Sequence, residues 1–181
     1  MHKIKTFSGN NESEIWKQIA ADLGSTEIFD YHAQINQGGH QTILIIDIDW
    51  GGGFEGGFEL TIFSARLTSS SDYKFAIHNE EFIDEIGKFF GMQDVELGYP
   101  EFDRKVVVKT NNDERTRMLF SSQAVRSFII GLGTDFNMGI TGSAHDRKLE
   151  LAIEKGITDV ETLQKIYGIF YDLLIQIDEP V

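Results

Sequence analysis

Two hydrophobic rhythms alternate along the chain. Between residues 11 and 23, apolar side chains fall at Ile15, Trp16, Ile19, Ala20 and Leu23, the spacing of one helix face. Asn11, with Glu14 three residues on, supplies the cap that starts this helix. The period then shortens to two. Residues 28–36, 41–50 and 58–67 read as strands, separated by Gln37-Gly38-Gly39-His40 and by a connection with glycine at positions 51, 52, 53, 56 and 57. Glycine supplies the positive φ that tight reversals need, so a three-stranded meander is predicted.

Beyond a polar loop at 68–72, the pattern gives a strand at 73–78. Asn79 then caps a helix that buries Phe82, Ile86, Phe89 and Phe90 and closes at Gly91. A second strand at 104–110 leads into a helix from 112 to 130. The stretches 74–80 and 105–111 look alike, although strand, asparagine and acidic helix start is a generic combination. Phe136, Met138 and Ile140 alternate, and so do Leu149, Leu151 and Ile153, which predicts a further strand at 148–153. The last helix is the clearest element: Thr158, Asp159, Val160 and Glu161 read as a capping box, and Val160, Leu163, Tyr167, Phe170, Leu174 and Ile177 form one stripe. The expectation is one α+β domain over residues 1–181. Its two layers are an antiparallel sheet of about five to seven strands and helices that cover one face.

Composition narrows the function classes. With 181 residues, 41% of them hydrophobic, the chain can bury a substantial core and is not disordered. Its net charge of −13 disfavours a broad nucleic-acid binder, because a phosphate backbone would be repelled. The absence of cysteine removes disulfides, thiolate catalysis and cysteine zinc sites. No apolar run approaches the ~18 residues of a membrane span, and the basic N-terminus lacks the apolar core of a signal peptide, so a cytoplasmic location is the default expectation.

One stretch has a familiar sequence. Pro100-Glu101-Phe102-Asp103-Arg104, a valine strand, Lys109-Thr110-Asn111, then Arg117-Met118-Leu119-Phe120 resembles a segment of uncharacterised bacterial domains of unknown function. In these a strand pair and an acid-capped final helix follow. The resemblance covers residues 99–178, implies a bacterial α+β domain, and transfers no site. Relatives of this type are often membrane-tethered, a feature with no counterpart here.

Motifs that carry chemistry are sparse. Asp47-Ile48-Asp49-Trp50-Gly51-Gly52 has glycine at the sixth position of a calcium loop, but Gly51 and Phe58 stand where oxygen ligands belong. Gly131-Leu132-Gly133 follows a helix and lacks the third glycine of a dinucleotide fingerprint. His2, His32, His40, His78 and His145 show no metal-ligand spacing. The basic concentration Arg104, Lys105, Lys109, Arg115 and Arg117 reads as a solvated surface, or as a docking patch for an acidic partner.

The meander holds the one constellation. Symmetric hairpins put Phe29, Tyr31, Ala33 and Ile35 on the core side with Leu44, Ile46, Ile48 and Trp50, and with Phe58, Leu60 and Ile62. The other face then carries His32, Ile43, Ile45 and Phe63 and, at one end, Asp30, Asp47, Asp49 and Glu59. Opposed like charges destabilise a sheet. Such a cluster is either a wet strand end with splayed charges, a site for a divalent cation, or an acid/base pair. A one-residue slip in the glycine connection would scatter it.

Three readings follow. The first is a non-catalytic interaction module, with a protein or small-molecule partner and no cofactor. The second is a metal-assisted hydrolase using Asp47, Asp49, Glu59 and His32. The third is a carrier of a small apolar ligand, suggested by the 14 phenylalanines.

Overall fold

The computed structural model describes residues 4–25, 29–51, 56–79, 92–142 and 146–178. These form one mostly antiparallel sheet with helices, an α+β fold. The elements are β1 (Lys5–Ser8), α1 (Glu12–Leu23), β2 (Asp30–Gln37), β3 (His40–Asp49), β4 (Phe58–Arg66), β5 (Phe75–His78), β6 (Gln93–Asp94), α2 (Pro100–Asp103), β7 (Val107–Thr110), α3 (Asp113–Leu119), α4 (Gln123–Gly131), β8 (Phe136–Thr141), β9 (Lys148–Ile153) and α5 (Val160–Asp178). Among the described residues the sheet has nine strands in the order β1-β2-β3-β4-β9-β8-β5-β7-β6. Two short edge strands, β1 and β6, take it beyond the predicted number, and β1 lies parallel to β2. The predicted helix starting at Asn79 lies outside the described residues.

The helices bury one face of this sheet. Tyr31, Ala33 and Ile35, then Leu44 and Ile46, Phe63, and Leu149 and Leu151 form its inner surface, each nearly or wholly excluded from water. Over it lie α1, through Ile15, Trp16 and Ile19, and α5, through Leu163, Tyr167, Phe170 and Leu174. Trp16 meets Tyr167 edge-on at 5.6 Å, and Phe63 packs against Phe170 at 5.9 Å. At the β5–β7 end the cover continues: Phe75 contacts Phe120, which contacts Phe102. Among the described residues, half of the 14 phenylalanines that suggested a ligand cavity, including Phe63, Phe75, Phe102, Phe120 and Phe170, pack into the core instead.

Helix boundaries follow local chemistry. The Asn11 side chain accepts a bond from Glu14 N, as expected, while the Glu14 carboxylate accepts from Asn10 N. For α5 the cap is Asp159, whose carboxylate accepts from the Thr162 backbone and hydroxyl. Glu161 pairs instead with Lys165. The single helix predicted for 112–130 is two, α3 and α4. The break falls at Phe120, Ser121 and Ser122, where Arg126 donates to the carbonyls of Phe120 and Ser121.

A polar clasp closes the far side. Arg147 is buried and donates to the carbonyls of Ser69, Ser71 and Tyr73. Asp178, at the end of α5, accepts from Thr68 N, Ser69 N and the Thr68 hydroxyl. Arg115 bridges the Ser71 hydroxyl and the Ile177 carbonyl and lies over the Tyr73 ring. The loop at 68–72 is thus a strap held by both ends of its polar surroundings. Of the basic concentration only Arg115 reaches into the fold in this way; Arg104 and Lys109 make surface contacts, with the Pro100 carbonyl and with Asp94, and Lys105 and Arg117 are exposed.

Candidate functional site

The five described helices pack on the inner face, and the opposite face of the meander is left without a helix from among them. Its composition depends on register. In the β2–β3 hairpin Asp30 pairs with Asp47, His32 with Ile45 and Ala33 with Leu44, as the symmetric turn predicts. The β3–β4 pairing is one residue off the symmetric expectation: Asp49 pairs with Phe58, Ile48 with Glu59, Asp47 with Leu60 and Ile45 with Ile62. Every side chain of β4 therefore changes sides. The cause lies at Gly57, where an added Cβ would stand 2.3 Å from the Asp49 carbonyl oxygen. Backbone passes there at a distance only glycine permits.

This slip corrects the predicted cluster. Asp30, Asp47 and Asp49 stay on the open face, but Glu59 moves to the inner one. There its carboxylate accepts from Gly156 N at 3.0 Å, while the Thr61 hydroxyl donates to Lys155 O and accepts from Ile157 N. Glu59 is a turn anchor for the β9–α5 connection. Asp30 lies 2.9 Å from His32 Nε2, and Asp49 accepts from Gly51 N. Among the described residues, no three His, Asp or Glu side chains gather as a metal-holding group. Phe63 is likewise inside rather than outside, and Phe58, Leu60 and Ile62 are outside.

What the slip builds is an apolar strip. His32, Ile45, Ile62 and Ala152 stand side by side across β2, β3, β4 and β9, all half-buried. Ile43 and Leu60 flank this row on adjacent positions. At the acidic end Phe58, paired with Asp49 on this face, is 51% exposed. Trp50 and Phe29, also exposed, lie just beyond the strand ends at positions that alternate with Asp49 and Asp30. Scattered exposed hydrophobics are ordinary, but a contiguous set marks a contact surface. Toward β8 and β5 the same face becomes polar and closed: Ala76, Gly139 and His78 are buried. A cleft of about 420 Å³ lies there, lined by Lys74, Ala76, Asn137, Gly139, Lys148 and Glu150 among others, with Lys148 and Glu150 ion-paired. Gly139 makes close packing of β8 on β5 feasible, because a Cβ there would stand 2.6 Å from the Phe75 carbonyl oxygen.

Sequence reasoning placed Leu60, Ile62, Phe58 and Trp50 in the core. The signal that relocates the first three is Gly57, in the glycine connection where a one-residue slip is the alternative to the symmetric register. No described helix is long and apolar enough to cross a membrane.

No protein-family model matches the chain, and no curated protein matches it. Among solved structures, the crystal structure of the mycobacterial trehalose monomycolate transport factor A, TtfA, superposes with a TM-score of 0.50 at 9% identity, covering 83% of this chain and 74% of that one. At that identity the likeness is one of fold.

Proposed function

We propose that this chain is a non-catalytic binding module and that the open face of its meander is the binding surface. The observation that carries this reading is the contiguous row Ile45, Ile62 and Ala152, flanked by Ile43 and Leu60 and ending in exposed Phe58. Desolvating such a surface against a ligand is favourable at roughly 25 cal/mol per Å² of apolar area, before the costs of association. The test uses a neutral, environment-sensitive dye such as Nile red. The dye brightens on the native protein, and Ile45→Thr with Ile62→Thr, which keeps β-branched side chains on the paired strands, removes most of the brightening in a variant that still unfolds cooperatively. Undiminished dye binding in that folded double variant would overturn the reading.

A second reading, a carrier of a small apolar ligand, is favoured by the cleft that adjoins the strip and by the fold shared with a protein described as a trehalose monomycolate transport factor. Its volume falls in the range of ordinary ligand sites, ~300–1,000 Å³. A long-chain fatty acid that displaces the dye saturably, one per chain, would support the carrier. Displacement without saturation would count against it.

A further inference from the structure

We propose that the occupant of the open face is a basic amphipathic segment of another protein, its apolar side laid on Ile45, Ile62 and Leu60 and its Lys or Arg side chains set among Asp47, Asp49 and the neighbouring Phe58 ring. This rests on the open face being the binding surface and adds the chemistry of the partner. Two features of the same end of the strip choose the sign. Asp47 and Asp49 stand on the same side of β3 at the end of the apolar strip. Across from Asp47 lies a further carboxylate, Asp30, which His32 already meets, so the local field at this end favours a cation. Asp49 pairs with Phe58, which is exposed, so on this face a carboxylate lies beside an open aromatic ring. An ammonium or guanidinium group gains from both at once, by ion pairing to the acid and by cation–π contact to the ring.

Other occupants fit less well. A second copy would bring two chains of −13 together with acid facing acid. An anionic lipid surface would be repelled by the same carboxylates, and an uncharged one leaves them buried without partners. The apolar row with an acidic, aromatic border matches the helix-in-groove mode, in which apolar anchors supply affinity and border charges supply specificity and steering.

The experiment compares three designed helical peptides with one apolar Leu face and a polar face made of Lys, Gln or Glu. Binding is followed by the emission of Trp50, which is exposed, against the constant background of buried Trp16. At low ionic strength the Lys peptide is expected to bind about tenfold more tightly than the Gln peptide, and the difference to shrink as salt is added. Asp47→Asn with Asp49→Asn should weaken the Lys peptide by about threefold or more and leave the Gln peptide unchanged. The control Glu101→Gln with Glu114→Gln makes the same change in net charge on exposed residues of the helical layer and should leave both unchanged. Equal binding of Lys and Gln peptides overturns the proposal while the binding face stands. Equal weakening by both charge pairs also overturns it, because the attraction is then that of the whole molecule. Failure of all three peptides overturns it too, and the dye experiment decides separately whether the face binds anything. Preference for neutral vesicles over every peptide would assign the face to a membrane instead.

Discussion

At Glu59 and Gly156 a carboxylate and a backbone amide fix how the sheet hands the chain to its last helix. Gly156 sits so close to Ile48 that a Cβ would come within 2.5 Å of the isoleucine side chain, and its N–H reaches Glu59. Replacing Glu59 with Leu removes the acceptor from a part-buried donor and is expected to cost about 1–3 kcal/mol, whereas Glu59→Gln keeps an acceptor and should cost less. Urea melts of the two variants check this; equal losses would mean the amide bond contributes nothing. A second residue-scale expectation concerns high pH. Burial pushes the Tyr73 phenol up to about 12, with the Thr116 hydrogen bond and Arg115 acting in the opposite direction. Tyr31 and Tyr167 are also pushed up, chiefly by burial. The raised folded-state values mean that stability from these phenols is complete below pH ~10 and is lost as pH rises through the folded-state value. Phenolate absorbance should therefore show Tyr73 ionising together with cooperative unfolding between pH 10 and about 12. A gradual rise with no change in circular dichroism would contradict it.

Among the elements, α5 is the one most plainly written in the sequence, and its stripe is buried as expected, with Phe170 wholly excluded from water. Phe170→Ala is expected to cost ~3–5 kcal/mol in a thermal or chemical melt, because the cavity adds to the lost transfer energy. Deleting residues 158–181 would also remove Asp178 and release the strap at 68–72, so the truncated chain should lose its cooperative transition. Helix and strand types were legible wherever period and cap agreed, as in α1, the meander and β9. Two things were not. The break between α3 and α4 is set by Arg126, which satisfies carbonyls of the linking residues while stacking on Tyr99. A helical apolar spacing that persists across the break hides it. The β4 register was hidden because alternation fixes which residues share a face, but not which face, and the deciding contact is a backbone approach at Gly57.

For the molecule as a whole, that register decides the candidate site: the acidic set loses Glu59, and an apolar strip appears in its place. The two tryptophans report on the two sides of the sheet. Acrylamide should quench Trp50 efficiently and Trp16 hardly at all, since they are 71% and 2% exposed; equal quenching would contradict the layering. The position of β9 has a kinetic consequence. It lies between β4 and β8, and Arg66 pairs with Lys148, so the sheet becomes continuous only when the whole intervening stretch has been looped out. The hairpins of the meander close locally and early, whereas this central seam carries the entropy of a long loop closure and gives the fold a high contact order. Refolding should accordingly be limited by the seam, with Leu151→Ala slowing it more than an equally destabilising change in the β2–β3 hairpin. Until the seam forms, both faces of the nascent meander are bare, and the chain is most prone to association in that interval.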